Sequence, residues 1–226
     1  DAGDIFQGTP YFNFYGGELE MKLMSEMQYD AGTMGNHDFD AGIDGFVKQL
    51  PHATFPILVA NYDFTGTALE NKIEQYKVFQ KKNIKVGVFG LGIELKGLVP
   101  EKLYEKIQYL DPVEKAKETV AISREKEKCD YIICLSHLGY QYKDDKISDV
   151  KLAAQTEGID LILGGHTHTF LDAPVIYKNF ADKEVLINQV GWAGVWLGRV
   201  DIFFEKKRTK KWHSGKPVKV SKKTRE

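Results

Sequence analysis

Three short histidine-bearing segments each follow directly on an apolar run, and this constrains the fold more than any other feature of the chain. Asp30-Ala31-Gly32-Thr33-Met34 leads into Gly35-Asn36-His37-Asp38-Phe39-Asp40. Tyr131-Ile132-Ile133-Cys134-Leu135 leads into Ser136-His137-Leu138-Gly139, and Leu161-Ile162-Leu163 into Gly164-Gly165-His166-Thr167-His168. Four of the six histidines fall in these segments. Polar loops at the carboxyl ends of strands are where ligands collect in α/β sheets.

The rest of the pattern agrees with an α/β reading. Further candidate strands are Ile57-Leu58-Val59-Ala60, Ile84 to Leu91, Val185 to Gln189 and Leu197 to Phe204. Most are continuous apolar runs, as expected where both faces of a sheet are covered. Candidate helices are Glu18 to Gln28, with Leu19, Leu23 and Met27 four apart, and Ile43 to Leu50. A third starts at Pro112 after Asp111 and runs to Lys128. A fourth covers Ile147 to Thr156, with Val150 and Ala154 on one stripe. At 226 residues the chain suits one large domain, with no internal repeat or low-complexity linker.

Imidazoles, an amide and a carboxylate make up the chemical inventory once Gly3-Asp4 is added. Mixed nitrogen and oxygen donors suit Zn, Mn, Fe or Co, whereas oxygen alone would suit Mg or Ca. His166 and His168 point to one side if their segment is extended. Asn36 and His37 are adjacent and should point apart, so one can face a metal while the other faces what the metal activates. Asp40, three residues after His37, is placed to orient that ring and hold it protonated. Gly35, Gly164 and Gly165 let backbone approach the site closely.

Several function classes are excluded by composition. No apolar run reaches the roughly 18 residues a membrane span needs. The whole chain carries a formal charge of −1, which gives no reason to expect a nucleic-acid polymer as partner. Residues 206–226 hold ten Lys or Arg and one acid, and apolar residues return at Trp212, Val218 and Val220; this reads as a solvated hairpin edge. Cys129 and Cys134 cannot build a disulfide framework, and Cys134 alternates with strand neighbours as a buried hydrophobe would. His52 and His213 read as exposed. Tyr11, Phe12, Phe14 and Tyr15 read as core or interface packing, although their closeness to Asp4 keeps them candidates for lining a cleft. Asn61 reads equally as a turn residue or an amide near the site.

Gly3-Asp4, Gly35-Asn36-His37-Asp38 with Asp40, Ser136-His137 and Gly165-His166-Thr167-His168 together resemble the calcineurin-like metallophosphoesterases, and within them the 5′-nucleotidase group. Ala60-Asn61 and Val190-Gly191 to Gly198-Arg199-Val200-Asp201 support the likeness. The resemblance implies a four-layer α-β-β-α sandwich of the metallophosphatase type over residues 1–226, with two divalent transition-metal ions between strand ends. It implies that Asp4 bridges both ions and that Asn36, His137 and His166 complete one site. His168 would belong to the other, and His37, backed by Asp40, would contact the phosphoryl oxygen or the leaving group. Two metals stabilise attacking and departing oxygens together.

The family pattern also includes an Asp-x-His segment on a first strand, and no histidine here has an aspartate two positions before it. Only Asp4 and His168 would remain for the second ion, too few for firm binding. We therefore expect an N-terminally truncated metallophosphatase domain without its C-terminal nucleotidase domain, which could be a separate domain or subunit. The expected reaction is hydrolysis of nucleoside 5′-monophosphates. Nucleotide-sugar diphosphates, 2′,3′-cyclic phosphodiesters and thiosulfonate conjugates are alternative substrates of the same site, and a non-catalytic one-metal module is the alternative of another class. By family likeness the protein is periplasmic, surface-attached or secreted.

Overall fold

A computed structural model describes residues 1–7, 10–205 and 210–221. Its centre is a six-stranded mixed sheet in the order β2-β3-β5-β6-β8-β7, formed by Tyr76–Lys81 (β2), Ile84–Leu91 (β3), Tyr131–Ser136 (β5), Leu161–Gly164 (β6), Val175–Lys178 (β7) and Glu184–Asn188 (β8). Two short strands, Tyr62–Asp63 (β1) and Gln108–Tyr109 (β4), pair separately. The apolar runs β3, β5, β6 and β8 are parallel, while β2 and β7 close the edges antiparallel. Polar side chains of β2, with Lys77, Gln80 and Lys81 exposed, suit an edge, and they also hide that strand from a search for apolar runs.

The pleat of β5 sorts side chains between the two faces of the sheet. Ile132 and Cys134 pack beneath the helices Pro112–Ala121 (α5) and Asp149–Gln155 (α6), against Val113, Ala116, Leu152 and Ala153. Tyr131 and Leu135 face the other way. There the hairpin of Trp196–Phe204 (β9) and Lys210–Lys219 (β10) brings Val200, Ile202 and Phe204 onto Tyr131, Leu161 and Leu186. Residues 57–60 share this second layer: Leu58 packs inward on Val88 and Leu135, while Ile57 and Val59 face outward. The outward side meets the helices Glu18–Glu26 (α2) and Gly42–Gln49 (α3) through Met21, Met24, Ile43 and Phe46. The fold is thus α/β, layered helix, sheet, extended layer, helix.

Capping explains where the helices start. The Asp111 carboxylate accepts from the Val113 and Glu114 N–H groups ahead of Pro112, and the Ser148 hydroxyl accepts from Lys151 N–H. The third predicted helix is α-helical only to Ala121, and a π turn over Ile122–Lys126 follows. Two short helices, Pro10–Tyr15 (α1) and Glu101–Tyr104 (α4), complete the set. The Gly8-Thr9 junction before α1 and the basic stretch 206–209 lie outside the described residues, as do residues 222–226.

Several expectations are corrected. Residues 30–34 form no ladder; Gly32 makes one isolated bridge to Ile57, and on the other side the backbone of Ala31 and Thr33 bonds only to that of Asp1 among the described residues. In α2 the stripe Leu19–Leu23–Met27 does not face the core: Leu23 and Met27 are exposed, and Met21 and Met24 are buried. Gly17 sets that phase, since it sits so close to the Phe6 ring that a Cβ would lie 2.3 Å from it, and Met21 is one turn further on. In α6 Ala154 is exposed, and Leu152 and Ala153 are buried instead. Of the aromatic cluster only Phe12 packs, stacking on Phe6 at 5.5 Å; Tyr11, Phe14 and Tyr15 are exposed. His52 and His213 are half-buried rather than exposed. Asn61 is buried and pairs both ways with the backbone of Gly92, a structural role.

Candidate metal centre

A buried aspartate organises the first two site segments. Asp38 is fully buried, and its two oxygens accept four backbone hydrogen bonds, from Asp4 (2.9 Å) and Gly35 (2.7 Å) on one and from Ile5 (2.9 Å) and Phe6 (3.1 Å) on the other. This holds Asp4 in the left-handed region, at φ 59°, with Oδ1 accepting from His37 N–H at 2.8 Å. Gly35 has to be glycine, because a Cβ there would meet Asp4 Oδ1 at 2.2 Å.

His137 arrives from the end of β5 almost fully buried. Its Nδ1 lies 2.6 Å from the Ala2 carbonyl oxygen, which can only accept, so Nδ1 carries a proton. In the neutral ring Nε2 then presents a lone pair, and it stands 3.1 Å from Asp4 Oδ2 with no aligned hydrogen bond. A lone pair facing a carboxylate needs a cation between them. Without a metal a proton takes that place: burial lowers the His137 pKa, but Asp4 more than offsets this and holds it above the usual histidine value. Burial also works against the Asp4 charge, which His137 restores, so its carboxyl lies below the ordinary range.

The ring of His166 completes the group. It lies 5.1 Å from that of His137, centroid to centroid, and one ligand atom from each of Asp4, His137 and His166 falls within 4.8 Å of the others. Burial, then the charge of His137, brings the His166 pKa down to about 4, so the ring is neutral and free to donate a lone pair. Asn36, between Gly35 and the His37 whose N–H bonds Asp4, is buried and its Oδ1 has no hydrogen-bond partner, a further oxygen suited to a cation. These orphaned atoms fit a divalent metal ion in both charge and donor type.

The structure does not bring His168 into this cluster. His166 and His168 have φ of 66° and 53°, so their segment is not extended and the same-side argument fails. His168 is exposed and stacks on Trp192 at 5.8 Å. His37 is separate too: its side chain is 42% exposed, with Nδ1 2.9 Å from Asp40 Oδ2.

Sequence reasoning gave no role to Asp38, to Asp149 or to Gln189. Nothing in the sequence marks Asp38 as an acceptor for backbone at Gly35, three residues before it, or at Asp4, Ile5 and Phe6, far earlier in the chain. Asp149 is buried beneath β5, accepts from the Ser136 hydroxyl at 2.5 Å, and is pushed by burial up to about 8. Its other oxygen fills the space beside Gly164, where a Cβ would approach to 2.1 Å. Unfolded, this carboxyl titrates near about 4. The fold therefore holds an extra proton between the two values, and stability should fall as pH rises through that window to about 8. Urea unfolding at pH 5 and pH 9 checks this against Asp149→Asn, which should lose less stability over the same range. Equal losses would refute it.

Comparison with known proteins matches the calcineurin-like phosphoesterase family over residues 1–170. The chain is 35% identical over 239 aligned residues to the trifunctional nucleotide phosphoesterase protein of Bacillus subtilis, covering 92% of this chain and 16% of that one. It is 30% identical to a snake venom 5′-nucleotidase of Crotalus adamanteus, covering 98% of this chain and 39% of the other. The solved structure of a 5′-nucleotidase precursor from Thermus thermophilus superposes with a TM-score of 0.88 at 31% identity, covering 97% of this chain and 44% of that one. The chain thus spans less than half the length of each of these three relatives.

Proposed function

The chain belongs to the calcineurin-like phosphoesterase family, and from this premise we propose that it carries the metal-binding site of a hydrolase acting on nucleoside 5′-monophosphates. The observation supporting the reading is the meeting of Asp4, His137 and His166 around a buried Nε2 that makes no aligned hydrogen bond. Asp4, Asn36, His137 and His166 would hold one ion, Zn, Mn, Fe or Co by their donor types. Asp4 and His168 would contribute to a second. Bound divalent ions neutralise charge on the phosphoryl oxygens and on the attacking and departing oxygens.

The protein's own groups supply the remaining chemistry. Asp40 engages Nδ1 of His37, which leaves Nε2 to donate a proton or hydrogen bond at the phosphoryl or leaving-group oxygen. The relatives' names support a nucleotide as substrate. The venom relative supports a site of action outside the cytoplasm. No helix among the described residues is long and apolar enough to cross a membrane.

The exposed, Trp192-stacked His168 favours a second reading, in which one ion is held and no ester is cleaved. Stripping the protein with a chelator, counting ions on reloading with Mn or Zn, and assaying phosphate release from a panel of nucleotides, nucleotide sugars and cyclic nucleotides separates the two. Hydrolysis of 5′-monophosphates that is lost with the metal and restored on reloading is the expected result. One tightly held ion with no turnover on any ester supports the second reading instead. Metal removal should also lower stability, by about 4 kcal/mol relative to metal at a thousandfold its Kd. An unchanged melting temperature after chelation would mean that this cluster holds no ion in the folded protein.

A further inference from the structure

Gln189 follows the last residue of β8 and is almost fully buried, at 1% exposure. Its amide reaches the histidine segment at three points. Oε1 accepts from the Thr169 N–H at 2.5 Å and from the Thr167 hydroxyl at 3.0 Å, and Nε2 donates to the Gly165 carbonyl at 2.7 Å. These partners bracket both histidines: Gly165 precedes His166, Thr167 separates it from His168, and Thr169 follows. The Thr167 hydroxyl also accepts from the Tyr140 N–H at 2.9 Å, which ties the same node to the loop that begins at His137.

Such a clamp answers a local difficulty. His166 and His168 both occupy the left-handed region, which residues with a Cβ enter only where surrounding structure holds them. A five-residue segment with two such residues has no helix or ladder to fix it, and the Gln189 amide satisfies three of its polar groups at once. Loss of the side chain would leave the Thr169 N–H without its acceptor, and the Gly165 carbonyl and Thr167 hydroxyl with only their partners at Thr167 N–H, Tyr140 N–H and Thr169, freeing the segment to relax toward ordinary backbone.

We infer that Gln189 is a positioning residue of the metal centre, holding the backbone on either side of His166 so that its ring meets Asp4 and His137. This inference rests on the metal-centre reading above. It assigns to Gln189 no contact with metal or substrate; it acts through Gly165, Thr167 and Thr169.

The test is Co(II) titration of the metal-stripped full protein, followed by its visible absorption, at a temperature well below unfolding. Gln189→Met keeps the volume of the side chain and removes all three hydrogen bonds. Gln189→Glu keeps both acceptor contacts and replaces the donor to Gly165 with an oxygen that bonds that carbonyl only when protonated, which makes it the second variant should Gln189→Met not fold. Co(II) affinity should fall about 10- to 100-fold in Gln189→Met, with an altered absorption band, and by less in Gln189→Glu. A merely structural role would lower the melting temperature and leave the affinity and spectrum of the folded variants as in the parent. That outcome, seen in either variant, overturns the inference while the metal site stands. If the unmutated protein takes up no Co(II), the metal-centre reading fails and this inference falls with it.

Discussion

Asp38→Ala is expected to leave little folded protein. The wild-type carboxylate is fully buried and is the acceptor for four backbone N–H groups spread over Asp4, Ile5, Phe6 and Gly35. A buried donor left without a partner costs about 1–3 kcal/mol. Even with water reaching some of the four, the loss should be roughly 4–8 kcal/mol, comparable with the whole stability of an ordinary domain. Asp38→Asn shows that the effect is hydrogen bonding and not charge. It retains one acceptor oxygen and turns an NH2 group toward the other pair of donors, so it should fall between the parent and alanine. Burial and the nearby Asp4 push the Asp38 carboxyl up to about 7, and the N–H groups of Gly35 and Phe6 pull it back. Urea unfolding followed by circular dichroism reads the result. An alanine variant within about 1 kcal/mol of the parent would show that the four bonds contribute nothing net.

Asp38 also shows what a sequence makes legible and what it hides. The parallel strands were readable because burial on both faces leaves continuous apolar runs, as in Ile84–Leu91 and Tyr131–Ser136. The start at Asp111-Pro112 was readable, because a cap acts on the next two or three residues, whereas the fourth helix was expected from Ile147 and begins after its cap Ser148. The edge strand Tyr76–Lys81 was not, because its side chains are those of an edge. Nor was the phase of Glu18–Glu26, which depends on Gly17 meeting Phe6 and not on the spacing of its own apolar residues. At the site the donor types were legible and the geometry was not. Asp4, His137 and His166 meet as their residue types suggest, whereas the reach of His168 rested on an extended backbone that two left-handed residues replace. The residues that hold the ligands in place, Asp38 and Gln189, act through backbone far away in sequence. A pattern search has no means of finding such partners.

His37→Ala should have the opposite signature, a large loss of turnover from a fold that is unaffected. The His37 side chain is 42% exposed, and among the described residues Asp40 is the one polar partner of its ring, through a contact with both groups partly in solvent. Pairs of that kind add little to stability. Its backbone N–H, which does hold Asp4, survives the substitution. If His37 supplies a proton or hydrogen bond to the phosphoryl or leaving-group oxygen, turnover should fall about 10²- to 10⁴-fold. That corresponds to roughly 3–5 kcal/mol of barrier. Metal content and melting temperature should stay at parent values, which separates this variant from any that disturbs Asp4, His137 or His166. Asp40→Ala frees the ring without removing it, so its loss should be smaller and should add little to that of His37→Ala in the double variant. Substrates with better leaving groups need less help from a proton donor, so the His37→Ala deficit should shrink on an activated aryl phosphate. A deficit equal on both esters would place His37 at the phosphoryl oxygens instead of the leaving group, and unchanged turnover on a nucleotide would remove it from the chemistry.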